Sequence, residues 1–164
     1  MKRPLMLLLI PFLLLMVLPS CKESQAVTFY YLRPESAYQS NSPSGVITGE
    51  SREAAGSIHN LRDLLILYLH GPTNDNLRSP LPTTATLVDL EQASGTLTIR
   101  LESTLSTFKN TTLPLACACI AQTCFGLTDA DTVTILFTDF PDTAVTMNRN
   151  SLLLVDDSGL DTDH

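Results

Sequence analysis

Ala85-Thr-Leu-Val-Asp-Leu-Glu-Gln-Ala-Ser-Gly-Thr-Leu-Thr-Ile-Arg-Leu-Glu102 is the stretch that decides how this chain folds. Its second half alternates strictly, with Leu97, Ile99 and Leu101 on one side and Thr98, Arg100 and Glu102 on the other. A period of two marks a strand with one buried face. Ala85 to Glu91 supplies a partner strand and Gln92-Ala-Ser-Gly95 the connection, so the segment reads as a half-buried hairpin with an apolar inner face.

The sequence on either side supplies helices to cover that face. Upstream, Ile58, Leu61, Leu64, Leu65 and Tyr68 recur at spacings of three and four, the apolar stripe of a helix. Ser57 or Asn60 can cap its start, and with Asn60 as the cap, Asp63 meets the positive end of the helix dipole. Leu69-His-Gly-Pro72 stops it, because Gly takes the left-handed C-terminal conformation and Pro cannot continue a helix. Downstream, Leu113 to Phe125 reads as a second helix with Leu113, Cys117, Ile120 and Cys124 in one stripe and Gly126 placed to cap its end. Asp131 to Thr138 then predicts a central strand with Val133, Ile135 and Phe137 on one face and a Phe140-Pro141 turn after it.

Val27-Thr-Phe-Tyr-Tyr-Leu32 is β-branched and aromatic and reads as the first strand, its aromatics feeding the core. The order strand, helix, two strands, helix, strand predicts an α+β fold with two helices packed on one face of a small mixed β-sheet. Residues 33–56 are rich in Ser, Gly, Glu and Pro and read as loop, with only Gly45-Val-Ile-Thr48 able to pair as a short strand. Thr73 to Pro82 reads as an irregular surface loop. Ala144 to Met147 and Leu152 to Val155 are expected to pair as a last ribbon, ahead of an acidic, flexible tail over residues 156–164.

The start of the chain is of another kind. Met1-Lys-Arg-Pro4, an apolar run from Leu5 to Leu18, and Pro19-Ser20-Cys21 form a basic region, a hydrophobic region and a small-residue cleavage site. The apolar run is proline-interrupted and shorter than the roughly 20 residues of helix that cross a bilayer. Leu18-Pro-Ser-Cys21 is similar to the lipobox of bacterial lipoproteins, which implies cleavage after Ser20 and lipid on Cys21. The length left after the leader fits a stalk over residues 21–26 and a single domain over residues 27–155. The alternative is an ordinary secretory signal, and both readings agree on export. Two or three acyl chains on Cys21 would hold the chain to the outer face of the cell membrane, since each buried methylene contributes about 0.8 kcal/mol.

Charge narrows the partners. The chain has 17 acidic and 10 basic residues, and losing Lys2 and Arg3 with the leader moves the net charge from -7 to -9. Such a surface is repelled by nucleic-acid phosphates and by anionic lipid headgroups. After cleavage Cys117, Cys119 and Cys124 remain beyond the anchor. Cys117 and Cys124 share a helical face but lie about 10.5 Å apart along the axis, beyond disulfide reach. No second cluster completes a zinc site, so the three read as small core thiols.

Nothing in the sequence assembles a catalytic group. His59, His70 and His164 are the histidines, and one helix holding the first two would keep them about 16 Å apart. No Gly-x-Ser-x-Gly elbow, His-Glu-x-x-His pair or phosphate loop occurs. Asp156 to Asp163 lacks the alternating ligands and closing Glu of a calcium loop. The expectation is a chain that is not an enzyme, with no catalytic, metal or cofactor residues.

Leu69-His-Gly-Pro72, Leu77-Arg-Ser-Pro-Leu-Pro82 and the Leu87 to Leu101 hairpin resemble the GerMN domain family, named after a lipoprotein of spore-forming bacteria. The resemblance runs on through Thr123, near the end of the second helix, and Val133 to Phe137, covering about residues 27–155. It implies a fold like the ring-building modules of secretion machines, used for protein contacts and without known chemistry, in lipoproteins of sporulation and germination assemblies. The single copy here, where the sporulation protein has two, leaves the particular assembly open. The functional expectation is therefore a lipid-anchored interaction module whose partner is another envelope protein or a copy of itself. The alternative is a lipid-anchored binding protein for a small envelope ligand.

Overall fold

A computed structural model describes residues 26–34, 45–53, 60–102 and 112–151. Over these the chain is α+β, as expected. Strand β1 spans Ala26–Leu32, β2 Ile47–Glu53, helix α1 Leu61–Leu69, β3 Thr86–Ala93 and β4 Thr96–Glu102. Helix α2 spans Thr112–Leu127, β5 Thr132–Phe137 and β6 Phe140–Asn148. The leader, Cys21, His59, the stretch Leu152 to Val155 and the acidic tail with His164 lie outside the described residues.

The main sheet has the order β3-β4-β5-β6 and is mixed: β3–β4 and β5–β6 are antiparallel, while β4 and β5, joined through α2, are parallel. A parallel pair cannot close with a tight turn, so the crossover helix between these two strands is a requirement of the topology. Pairing Leu97 with Val133, Ile99 with Ile135 and Leu101 with Phe137 puts six apolar side chains in one layer, all at most 2% exposed. The alternation read from residues 96–102 and 132–137 is the inner face of this sheet, and β5 is central.

The strand pairings depart from the expectation in four places. The hairpin connection is two residues, not four: Ser94 (φ 51°) and Gly95 (φ 77°) both take positive φ, as a type I′ turn requires, and Gln92 and Ala93 join β3. Chain reversal after β5 falls on Thr138-Asp139, so Phe140 and Pro141 open β6 rather than forming a turn. Ala144 to Met147 pairs with β5 as an edge of the main sheet, because Val145 and Met147 continue the apolar layer opposite Ile135 and Val133. And β1 begins at Ala26 and pairs antiparallel with β2 in a sheet of its own.

Strand β2 is the largest surprise, since Gly49-Glu-Ser-Arg-Glu53 lies in the stretch read as loop. Its composition is polar because its inward positions carry ionic groups instead of hydrocarbon: Glu50 stands opposite Phe29, and Arg52 opposite Val27, on the buried side of β1.

The helices behave locally as their sequences dictate. Asn60 caps α1, its side chain accepting from the Asp63 amide at 2.9 Å, and Gly71 follows at φ 92°. Leu65 and Tyr68 are buried on the expected stripe. Helix α2 buries more than one stripe: Cys119 and Thr123 are as enclosed as Cys117, Ile120 and Cys124, because β1 packs along a second side of it. Gly126 does not cap this helix; it is helical and exposed, and the helix runs on to Leu127. Of the aromatics of β1, Phe29 and Tyr31 enter the core and are fully enclosed, whereas Tyr30 between them is half-buried and lies outside it.

Candidate functional site

The polar interior concentrates where β2, β1 and the end of α1 meet. Helix α1 has no basic residue in its last turn, so its terminal carbonyls need donors from elsewhere. The Tyr31 hydroxyl reaches one of them, lying within donating distance of the Tyr68 carbonyl at 3.1 Å and of the Gly71 carbonyl at 3.2 Å, and Arg52 secures the turn that follows, its Nη2 donating to the Gly71 carbonyl at 2.6 Å and to Tyr31 Oη at 3.3 Å. The guanidinium also lies 5.3 Å from the Phe29 ring centre and 5.6 Å from that of Tyr31.

Glu50 completes the cluster. Arg52 donates to its Oε2 through Nε at 2.8 Å and Nη2 at 2.6 Å, and the two side chains are 11% and 9% exposed. Its Oε1 accepts from the Thr73 amide at 3.0 Å, the Thr73 hydroxyl at 2.7 Å and the Asn74 amide at 2.7 Å. Burial alone would raise the Glu50 pKa, but the bonds from Thr73, Arg52 and Asn74 outweigh it and hold the carboxyl below its ordinary range. A carboxylate with both oxygens already accepting has no lone pair turned toward a substrate proton, so the cluster is suited to bracing and not to base catalysis.

Two further braces hold β1 and α2. The Tyr30 amide donates to Thr123 Oγ1 at 2.9 Å, and Tyr68 Oη donates to the Tyr30 carbonyl at 3.1 Å, so both outward main-chain groups of Tyr30 are satisfied by side chains. Next to them Leu32 and Arg78 exchange main-chain bonds at 3.0 and 2.8 Å. At the end of α2, which also lacks a basic residue in its last turn, Arg149 donates to the carbonyls of Phe125 at 2.9 Å, Thr128 at 2.8 Å and Ala130 at 2.8 Å. Its guanidinium sits 4.9 Å from the Phe125 ring centre.

The residues singled out in the sequence do not converge on this cluster. His70 follows α1 as an exposed C-terminal cap. Cys117, Cys119 and Cys124 are free and buried. Burial pushes the Cys117 thiol up to about 12; burial, with Cys117 beside it, takes Cys119 to about 12; burial raises Cys124 as well. Such thiols stay protonated and are poor nucleophiles. Among the described residues no three His, Cys, Asp or Glu side chains group to hold a metal ion, and no helix is long and apolar enough to cross a membrane. A small pocket between α1, β3, β4 and α2 is lined by apolar side chains, among them Leu65, Leu69, Leu87, Ile99 and Ile120.

Glu50 and Arg52 were missed by sequence reasoning. The signal present was the alternation Thr48, Glu50, Arg52, which has the period of a strand, but a polar alternation alone does not say that its face is buried. No protein-family model, curated protein or solved structure matches the chain.

Proposed function

We propose that this protein is a lipid-anchored, extracytoplasmic interaction module of a bacterial envelope, tethered through Cys21 and presenting a rigid domain to another protein. The observation that carries the reading is the leader ending in Leu18-Pro-Ser-Cys21, followed directly by a domain whose polar interior is spent on bracing. Glu50, Arg52, Thr123 and Arg149 fix loops and helix ends in place. A tethered domain that recognises a partner through its surface gains from that rigidity, because less ordering is left for the moment of binding. The resemblance to GerMN domains points the same way. The residues that carry it have structural work here: Gly71 turns the chain after α1, Leu81 is buried in the core, and Thr123 holds β1.

The experiment is crosslinking with mass spectrometry on the intact envelope, comparing the natural chain with Cys21→Ala. A specific protein contact that weakens when the anchor is lost supports the module. Recovery of no protein contact in either form sinks it.

A further inference from the structure

We propose that lipid on Cys21 holds this domain with one defined end toward the bilayer, the end built from the start of β1, the last turn of α2 and the Ser94-Gly95 turn, and turns the β5–β6 hairpin away from it. The inference rests on the lipid-anchor reading and says which surface an envelope partner can reach. It begins from the direction of β1. Tyr30 donates its amide to Thr123 Oγ1 at 2.9 Å, and the Thr28 carbonyl oxygen lies 4.0 Å from where a Cβ on Gly126 would stand. Going back along β1 therefore means going forward along α2, and Ala26 comes beside the last turn of that helix.

The main sheet shares the same two ends. Past α2, Asp131 donates its amide to the Gly95 carbonyl at 2.8 Å, while Arg149 donates its amide to the Asp131 carbonyl at 2.9 Å and its guanidinium to the Phe125 carbonyl at 2.9 Å. The β3–β4 turn, the start of β5 and the end of β6 thus gather at the end where β1 begins. At the other end Thr138 donates its amide to the Leu101 carbonyl at 2.9 Å, and the chain reverses through Thr138-Asp139 into Phe140. At the rise of a strand, the path from Asp131 to Thr138 separates the two ends by about 23 Å.

Covalent reach decides the pose. From Cys21 to Ala26 a chain spans at most about 18 Å when fully extended, and part of that is spent crossing the headgroup layer. Turning the domain over, with Thr138-Asp139 against the lipid, needs more than the length of the sheet, so the inverted pose is out of reach. Lipid affinity does not set the pose, because the exposed carboxylates of Glu53, Asp129 and Asp131 lie at the near end and are repelled by anionic headgroups. Phe140, at the far end, is 43% exposed. An exposed aromatic beside a membrane can serve as an interfacial anchor, but this one stands where lipid does not reach and is open to a protein partner.

The test uses the full chain, expressed with its leader in a bacterial envelope, purified in mild detergent and added to preformed phosphatidylcholine vesicles that carry an acceptor-labelled lipid. Cys117, Cys119 and Cys124 are buried and an acylated Cys21 has no thiol, so a maleimide donor should mark only an introduced cysteine. Asp129→Cys and Asp139→Cys each replace an exposed aspartate, one at each end. Energy transfer to the bilayer should be about twofold or more stronger from Asp129→Cys, as expected for ends about 23 Å apart. Gln92→Cys and Thr86→Cys, at the near and far ends of β3, should rank the same way. Equal transfer from the two ends, or stronger transfer from the far end, overturns the proposal while leaving the anchor standing. Label on the natural chain together with failure to float with the vesicles means a free Cys21, and overturns the anchor and this inference with it.

Discussion

The two helices end in the same way and are secured differently. Both lack a basic residue in the last turn, and at both a guanidinium from outside the helix braces the chain where the helix ends, Arg52 of β2 at the Gly71 carbonyl after α1 and Arg149, just past β6, at the Phe125 carbonyl of α2. Arg52 is nearly enclosed and is paired with Glu50, whereas Arg149 is exposed and, among the described residues, has no carboxylate within ion-pair distance. The difference follows from solvent. A guanidinium taken out of water needs a counter-charge as well as carbonyl acceptors, while one at the surface keeps its charge hydrated and needs only the acceptors. The comparison shows one structural task, closing a helix end, carried out once inside the protein and once at its rim.

The sharpest way to break the comparison is to remove each arginine in turn. Arg52→Met leaves Glu50 without its counter-charge and the Gly71 carbonyl without its guanidinium donor, and it should lower unfolding stability by about 2–3 kcal/mol in urea denaturation. Restoring neutrality with Glu50→Gln in the same chain should recover part of that loss, a coupling that a double-mutant cycle reads directly. Arg149→Met should cost about 1–2 kcal/mol, since water can replace its bonds, and should couple to neither change at Glu50 nor at Arg52. Equal losses at the two arginines would mean that burial does not set the difference.

Smaller effects refine the picture. Thr123→Val keeps the shape but leaves the Tyr30 amide without an acceptor, and should cost about 1 kcal/mol while raising hydrogen exchange at that amide. Glu50 gives the pH test. Its folded pKa lies below its unfolded value, so it contributes stability at pH values above the ordinary carboxylate range and loses that contribution as pH falls through the depressed folded pKa. Melting curves of the natural chain and of Glu50→Gln should therefore differ at neutral pH and converge in acid, with Arg149→Met showing no such convergence.

What was legible in the sequence divides along the same line as the two arginines. The inner face of the main sheet was visible as alternating Leu97, Ile99 and Leu101 and as Val133, Ile135 and Phe137, because a strand that buries hydrocarbon on one side must repeat with period two. The start and stop of α1 were visible because Asn60 and Gly71 act within one turn of the residues they cap. The Gly126 cap failed although the residue type was right: the helix continued through it to Leu127, and the C-terminal carbonyls found Arg149 instead. The cluster around Glu50 was not legible at all. Its members come from three separate segments, and a strand whose buried face is ionic has the composition of a loop.

By itself, then, the sequence determined the type of each strongly periodic element and the face it buries, since these follow from local geometry and the transfer of apolar side chains out of water. Only the tertiary structure decided that β1 leaves the main sheet to pair with β2, that Thr123 is an acceptor for a strand 93 residues away, and that the Glu50 and Arg52 side chains turn inward and pair. The reason is physical. A polar group's place depends on which partner reaches it, and those partners are brought together by the whole fold and not by their neighbours along the chain.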